Sequence, residues 1–217
     1  MILIPVKSLS QAKQRLASML GQPARTELAQ AMLFDVFEAL NKWAGRPDVS
    51  VVTGDPFALE LARQFSFEII VDTTNRSETE AIEGATRVCQ SRGIESTLVI
   101  PGDIPLVQPW ELEKVLEAAP LEGAVLAPAA DGRGTNAAFR RPSGLFPLRF
   151  GNDSFRPHLA AARATGKPCV VLSLAGIALD IDSPSDLRQL ATAPGETRSQ
   201  QLARRWDLAD LLPAANQ

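Results

Sequence analysis

The chain reads as a three-layer α/β/α domain on a mostly parallel sheet, and three observations predict it. Short apolar runs bounded by turn residues alternate with longer amphipathic segments along the chain. The run Leu98-Val99-Ile100 is continuously apolar, the pattern of a strand buried on both faces. Runs of this kind end in breaking turns, Thr53-Gly54-Asp55-Pro56 and Pro101-Gly102-Asp103, each followed by helical sequence.

Each element follows from local pattern. Residues 2–6 form a first strand. Ala12, Leu16, Met19 and Leu20 fall at helical spacing and predict a helix over 11–20. Leu28, Met32, Val36 and Leu40 predict a longer amphipathic helix over 24–43. Strand 49–52 follows, and Pro56 opens a helix to about residue 65. Strand 67–71, helix 78–91, strand 98–100, helix 110–119 and strand 124–127 continue the alternation. A short strand starts at 136–139, a helix over 157–165 ends at Gly166, strand 169–172 follows, and a helix starts at 185–190. The tail, 191–217, is polar, with a short helical patch around Leu202, Trp206, Leu208 and Leu211. No internal repeat or low-complexity block is present.

Composition narrows the function classes. A length of 217 residues suits one domain, and 45% hydrophobic with 22% charged residues supports a sizeable core. The net charge of -3 gives no electrostatic case for nucleic acid or an anionic membrane as partner. No apolar stretch reaches bilayer length, and the apolar start lacks a basic leader, so it reads as the first strand. Cys89 and Cys169 stand apart in no metal spacing, which fits a reducing cytoplasm. A single histidine, His158, argues against a His-rich metal site or a Ser-His-Asp triad.

Five segments carry chemistry. Gly102 and Pro105 break the fourth strand, so Asp103 is held at its carboxyl end, where open α/β sheets bind ligands. A carboxylate there suits a metal ion over a nucleotide phosphate, and equally suits a cap on the next turn. Lys7, Lys13 and Arg15, three cations within nine residues, follow the first strand, where cations clamp a triphosphate or line a solvated helix face. Neither a P-loop nor a dinucleotide fingerprint is present. Ala130-Asp131-Gly132-Arg133-Gly134-Thr135-Asn136-Ala137, with two glycines, a Thr and an Asn, permits close backbone approach to an anion, or a plain hairpin turn. Gly151 and Ser154 stand at a helix entry, where amide groups and the helix dipole favour phosphate, and where ordinary capping also occurs. In Asp180-Ile181-Asp182-Ser183-Pro184 the two carboxylates share one side of an extended segment, while Asp186 suits a helix cap.

These segments, in this order, resemble the 2-phospho-L-lactate guanylyltransferase family, which includes phosphoenolpyruvate guanylyltransferases. The resemblance rests on Pro5-Val6-Lys7, Ala12-Lys13 with Arg15-Leu16, Pro101-Gly102-Asp103-Ile104-Pro105-Leu106, Gly134-Thr135-Asn136, Phe150-Gly151 with Ser154 and His158, and Asp180-Ile181-Asp182-Ser183-Pro184 with Asp186-Leu187. It covers about residues 1–190, expected as a nucleotidyltransferase domain of Rossmann-like GT-A type, with 191–217 as the tail. It implies metal binding by Asp103, Asp180 and Asp182, with Asp103 and Lys13 as catalytic residues. It also implies nucleotide binding by Lys7, Lys13, Arg15, Thr53 and Thr79, and binding of the phosphorylated acid by Thr135, Gly151 and Ser154. The segment Ser77-Glu78-Thr79-Glu80-Ala81-Ile82 departs from the family, whose members carry Leu-Asn before the Ala-Ile. It is expected near both substrates, so it bears on base preference and on which acid is used.

The implied reaction moves GMP from GTP to 2-phospholactate, phosphoenolpyruvate or 3-phosphoglycerate, releases pyrophosphate, and serves biosynthesis of a deazaflavin coenzyme. The expected cofactor is Mg²⁺, the expected setting the cytoplasm, and the candidate assembly a homodimer. A phosphate monoester is already an anionic nucleophile, so alignment and charge neutralisation carry the catalysis without a strong base. Two other readings share the motifs: a nucleotidyltransferase using CTP or UTP with a sugar phosphate or phosphonate, and a non-catalytic nucleotide-binding protein.

Overall fold

A computed structural model describes residues 1–72, 77–151 and 153–206. Its seven strands are β1 (Ile2–Val6), β2 (Val49–Thr53), β3 (Glu68–Val71), β4 (Thr97–Val99), β5 (Gly123–Pro128), β6 (Thr135–Arg141) and β7 (Cys169–Val171). They form one sheet in the order β3-β2-β1-β4-β6-β5-β7. All neighbours pair in parallel except β6, which runs antiparallel to both β4 and β5. The chain winds outward from β1 through β2 to β3, then returns to lay β4 on the other side of β1. The loops leaving β1 and β4 therefore diverge at a topological switch point, the crevice where open sheets of this kind bind ligands.

Alternation of side chains along β1 fills both faces of the sheet. Ile2, Ile4 and Val6 face one core with Leu28, Met32, Val36 and Leu40 of α1 (Gln22–Lys42). Leu3 faces the other with Ala81, Ile82 and Ala85 of α3 (Glu78–Ser91). Also on the first face are α2 (Pro56–Gln64), α4 (Pro109–Glu117) and α7 (Pro184–Thr192). On the second is α5 (Phe155–Ala164), and a short α6 (Ala175–Ala178) closes the β7–α7 connection. No helix among the described residues is long and apolar enough to cross a membrane.

One expectation needs correction. Residues 11–20 are not one helix. Two 3₁₀ turns, Leu9–Gln11 and Gln14–Leu16, flank Lys13, whose backbone is left-handed at φ 57°. The apolar spacing is met instead by a loop that turns Leu9, Leu16 and Leu20 into the α1 core. That break in periodicity frees Lys13 to point elsewhere.

The helical patch expected in the polar tail is α8 (Arg198–Arg205), whose Leu202 and Ala203 are buried in the first core against α1. Asp35 of α1 accepts the backbone N–H of Arg198 and of Ser199, each at 2.9 Å, and the Ser199 hydroxyl at 2.6 Å. A carboxylate from one helix thus supplies the acceptor for another helix's first amides. Trp206 packs against the same core, while Leu208 and Leu211 lie outside the described residues.

Candidate active site

The site is built where β1 and β4 release the chain. Beyond β4, Ile100 is fully buried and the chain turns at Gly102. A Cβ on Gly102 would sit 2.9 Å from Leu33 Cδ1, so any larger residue at this turn would have to push the Leu33 side chain aside. The turn presents Asp103. The extended segment 179–182 docks on it through a hydrogen bond from Ile181 N–H to the Asp103 carbonyl at 3.2 Å. Ile181 is fully buried, so its neighbours Asp180 and Asp182 face outward toward Asp103.

One cation joins these carboxylates. Lys13 Nζ lies 2.6 Å from Asp103 Oδ2 and 2.9 Å from Asp182 Oδ1, with only 6% of its side chain exposed. Burial alone would lower the Lys13 pKa, but the charges and hydrogen bonds of Asp103 and Asp182 outweigh it and raise it. For Asp182 burial pushes the pKa up, yet the Lys13 charge and hydrogen bond, with help from Arg15, hold it below the ordinary value. Arg15 Nη1 stands 3.6 Å from Asp182 Oδ2. Asp180 is turned aside and accepts from Asn136 Nδ2 at 3.0 Å. Burial raises its pKa despite that bond. Asp186 is a cap, as its spacing suggests: its carboxylate accepts from the amides of Asp182 and Ser183 while the Ser183 hydroxyl accepts from Asp186 N–H.

Among the described residues no three His, Cys, Asp or Glu side chains gather into a metal cage. Asp103 and Asp182 nevertheless converge on a single positive centre, the Lys13 ammonium. Such a pair fits Mg²⁺, which takes one or two carboxylates and completes its shell with water and substrate phosphate.

Two clefts meet at this point. The first, about 560 Å³, runs between the Pro5–Lys13 loop and α1, and has Lys7, Lys13 and the apolar side chains of Met32 and Leu33 in its walls. The second, about 460 Å³, is polar and is lined by Arg15, Arg133, Thr135, Gly151, Ser154 and Asp180 among others. They share Glu78, Pro101 and Asp103 as a common wall. The basic loop is thus divided, with Lys7 and Lys13 in the first cleft and Arg15 in the second.

Glu78, the first residue of α3, belongs to the segment that departs from the family pattern and is expected near both substrates, and it forms part of the wall the two clefts share. Burial raises its pKa to about 7, and the nearby charge of Asp103 adds to the rise, against the pull of Lys7 and Lys13. By position alone it is an acid at a helix N-terminus next to an apolar stretch, which looks like ordinary dipole pairing.

The other expected residues divide by what their polar atoms already do. Lys7 pairs with Asp72 at 2.6 Å. Thr53 is fully buried; its hydroxyl donates to the Val6 carbonyl at 2.8 Å and accepts from Asp55 N–H at 2.9 Å, so it lines neither cleft and shapes the loop after β1. Thr79 also lines neither cleft, and its hydroxyl accepts from Phe150 N–H at 2.9 Å, fixing the loop before Gly151.

Thr135, Ser154 and His158 form one buried network. His158 Nε2 accepts from Arg149 N–H at 2.7 Å, so the neutral ring carries its proton on Nδ1 and donates it to Thr135 Oγ1 at 2.9 Å. Burial, with the Arg140 charge, lowers the His158 pKa to about 4 and keeps the ring neutral. Ser154 Oγ donates to the same Thr135 oxygen at 3.3 Å. Thr135 therefore accepts twice, which leaves its own proton free for an anion in the second cleft. The first amide of α5, that of Phe155, is spent on the Arg133 carbonyl at 2.8 Å. Gly151 has φ 132°, a backbone open to glycine, and no atom stands within 4 Å of where its Cβ would be.

Comparison with known proteins gives a consistent picture. A family model described as guanylyl transferase, CofC like, matches residues 1–209. The phosphoenolpyruvate guanylyltransferase of Roseiflexus castenholzii is 37% identical over 94% of this chain and 93% of that protein. The 2-phospho-L-lactate guanylyltransferase of Methanothermobacter thermautotrophicus is 32% identical over 94% of this chain and 89% of that protein. A crystal structure from Desulfovibrio desulfuricans G20, provisionally described as a nucleotide-diphospho-sugar transferase, superposes with a TM-score of 0.78 at 19% identity, covering 97% of this chain and 96% of that one. At that identity the likeness speaks for the fold.

Proposed function

Since the chain belongs to the CofC-like guanylyl transferases, a nucleotidyltransferase class, we propose that it moves GMP from GTP to a small phosphorylated carboxylic acid and releases pyrophosphate. The acid is phosphoenolpyruvate, 2-phospholactate or 3-phosphoglycerate, and the product serves assembly of a deazaflavin coenzyme in the cytoplasm. We take the working form to be a homodimer.

The observation that carries this reading is the pair of clefts sharing the Asp103 wall. A transfer between two anions needs two pockets that meet at the reacting phosphorus, with positive charge where they meet. GTP takes the first cleft, its base along the apolar α1 wall and its phosphates toward Lys7 and Lys13. The acid takes the second, its phosphate against the free Thr135 proton and the glycine backbone at 151, near Arg15. Lys13 lies at the junction and neutralises the charge that builds on the α-phosphate as the acceptor oxygen attacks. Asp103 and Asp182 would hold Mg²⁺, with Asp180 beside them; when bound, the ion lowers the repulsion between the two anions. His158 is kept neutral and orients Thr135, so no general base enters, which suits a nucleophile already ionised at neutral pH.

The test is a panel of GTP, ATP, CTP and UTP against the three acids with Mg²⁺, read by mass spectrometry. A guanylylated acid with matching pyrophosphate supports the proposal. Product with CTP or UTP alone assigns the chain to another base, and bound nucleotide with no product under any pairing makes it a binding protein.

A further inference from the structure

The second cleft carries a cation that no motif reading assigned. Arg133 lies in the loop joining β5 to β6, and its main chain is fixed from both sides. Its N–H donates to Asp131 Oδ1 at 2.8 Å, and its carbonyl accepts from Phe155 N–H at 2.8 Å. These bonds fix where the Arg133 side chain leaves the loop. The guanidinium forks onto Asp153, Nε to Oδ1 at 2.5 Å and Nη2 to Oδ2 at 3.1 Å. Both residues line the second cleft, and their side chains are 62% and 59% exposed. An ion pair in that much water adds little to stability. Its geometry is nonetheless the planar two-point grip by which arginine recognises a carboxylate.

The position suits a ligand that is anionic at both ends. The phosphate of an acceptor must reach the Asp103 wall to attack. Its carboxylate is then left toward the rim, where Arg133 stands two residues before Thr135. We propose that Arg133 is a specificity-determining residue that binds the carboxylate of the phosphorylated acid, with Asp153 occupying the guanidinium as an internal carboxylate until the substrate replaces it. This rests on the assignment of the second cleft to the acid.

Steady-state kinetics on four variants tests it, with folding of each checked by its thermal midpoint. Arg133→Gln should raise KM for the acid by roughly ten- to a hundredfold, the worth of one charge-assisted pair, and leave KM for GTP unchanged. Arg133→Lys should restore only part of the loss, because an ammonium cannot fork. Asp153→Asn should lower KM for the acid by releasing the guanidinium, and the double variant should lose that gain. With a phosphorylated alcohol that lacks a carboxylate, the Arg133→Gln penalty should vanish. An unchanged acid KM in Arg133→Gln, or equal rises for acid and GTP, overturns the proposal while the transfer reaction stands. Absence of transfer to any phosphorylated acid by the wild-type chain overturns the parent reading and this one together, and is seen before any variant is made.

Discussion

Replacing Lys13 by methionine removes the one cation that two carboxylates share. Lys13 donates two charge-assisted hydrogen bonds, to Asp103 and Asp182. Each such bond contributes about 1.5–3 kcal/mol where it is buried. Asp103 and Asp182 are 31% and 43% exposed, so water recovers much of that when the ammonium goes, and Arg15 still stands near Asp182. A net loss of about 2 kcal/mol follows, which for a domain of this size lowers Tm by roughly 4–8 °C. Two unneutralised carboxylates also make a better cation site than the wild type offers. Added Mg²⁺ should therefore raise the Tm of Lys13→Met by more than it raises that of the wild type. Scanning calorimetry with and without Mg²⁺ measures both effects, and a transfer assay should show kcat reduced by about a hundredfold, the loss of one preorganised charge at the reacting phosphate. A variant with wild-type Tm and kinetics, or with no larger response to Mg²⁺, would refute the reasoning.

Three further outcomes are expected. Asp103→Asn should fold normally and lose most of kcat; wild-type turnover at saturating Mg²⁺ removes Asp103 from the metal role. Glu78→Gln should stabilise the protein more at pH 8 than at pH 5. The folded-state pKa of Glu78 is raised from 4.5 to about 7, so the native state binds the extra proton between those values, and wild-type stability falls as pH rises through that window. The difference in Tm gain between the two pH values checks this, and equal gains contradict it. Ser154→Ala should weaken binding of the acid by about 1 kcal/mol, and Thr135→Val by more, because Ser154 acts through Thr135. Calorimetric titration with the acid ranks the two, and the reverse order would place the ligand on Ser154.

Much of this architecture is legible in the chain because strand burial leaves a plain mark. Leu98-Val99-Ile100 is apolar at every position and is ended by a glycine that packs closely on Leu33, so the Asp103 turn stands out. The Asp180-Ile181-Asp182 alternation is equally direct, since Ile181 goes inward and the aspartates outward. Residues 11–20 mislead because a loop wrapping under α1 buries the same spaced apolar residues as a helix would. The docking of α8 on α1, rather than the helix itself, hides behind arginines and glutamines: Leu202 and Ala203 reach the core, and the carboxylate that receives the helix start, Asp35, is 164 residues from Ser199. The resemblance assigns Thr53 and Thr79 to the nucleotide, whereas here their hydroxyls bond to the backbone of Val6 and Phe150. Arg133 is hidden for the opposite reason. It looks ordinary in its own segment, a cation in a turn, and becomes a wall of the second cleft only when the β5–β6 loop and the start of α5 come together.

The central claim is that two clefts, one for each substrate, meet at the Asp103 wall. Crossed binding titrations test it most directly: Lys7→Ala and Thr135→Val, each titrated with GTP and with the phosphorylated acid in the presence of Mg²⁺. The account predicts that Lys7→Ala weakens GTP alone and Thr135→Val weakens the acid alone. A GTP defect confined to Thr135→Val, or an acid defect confined to Lys7→Ala, would contradict it.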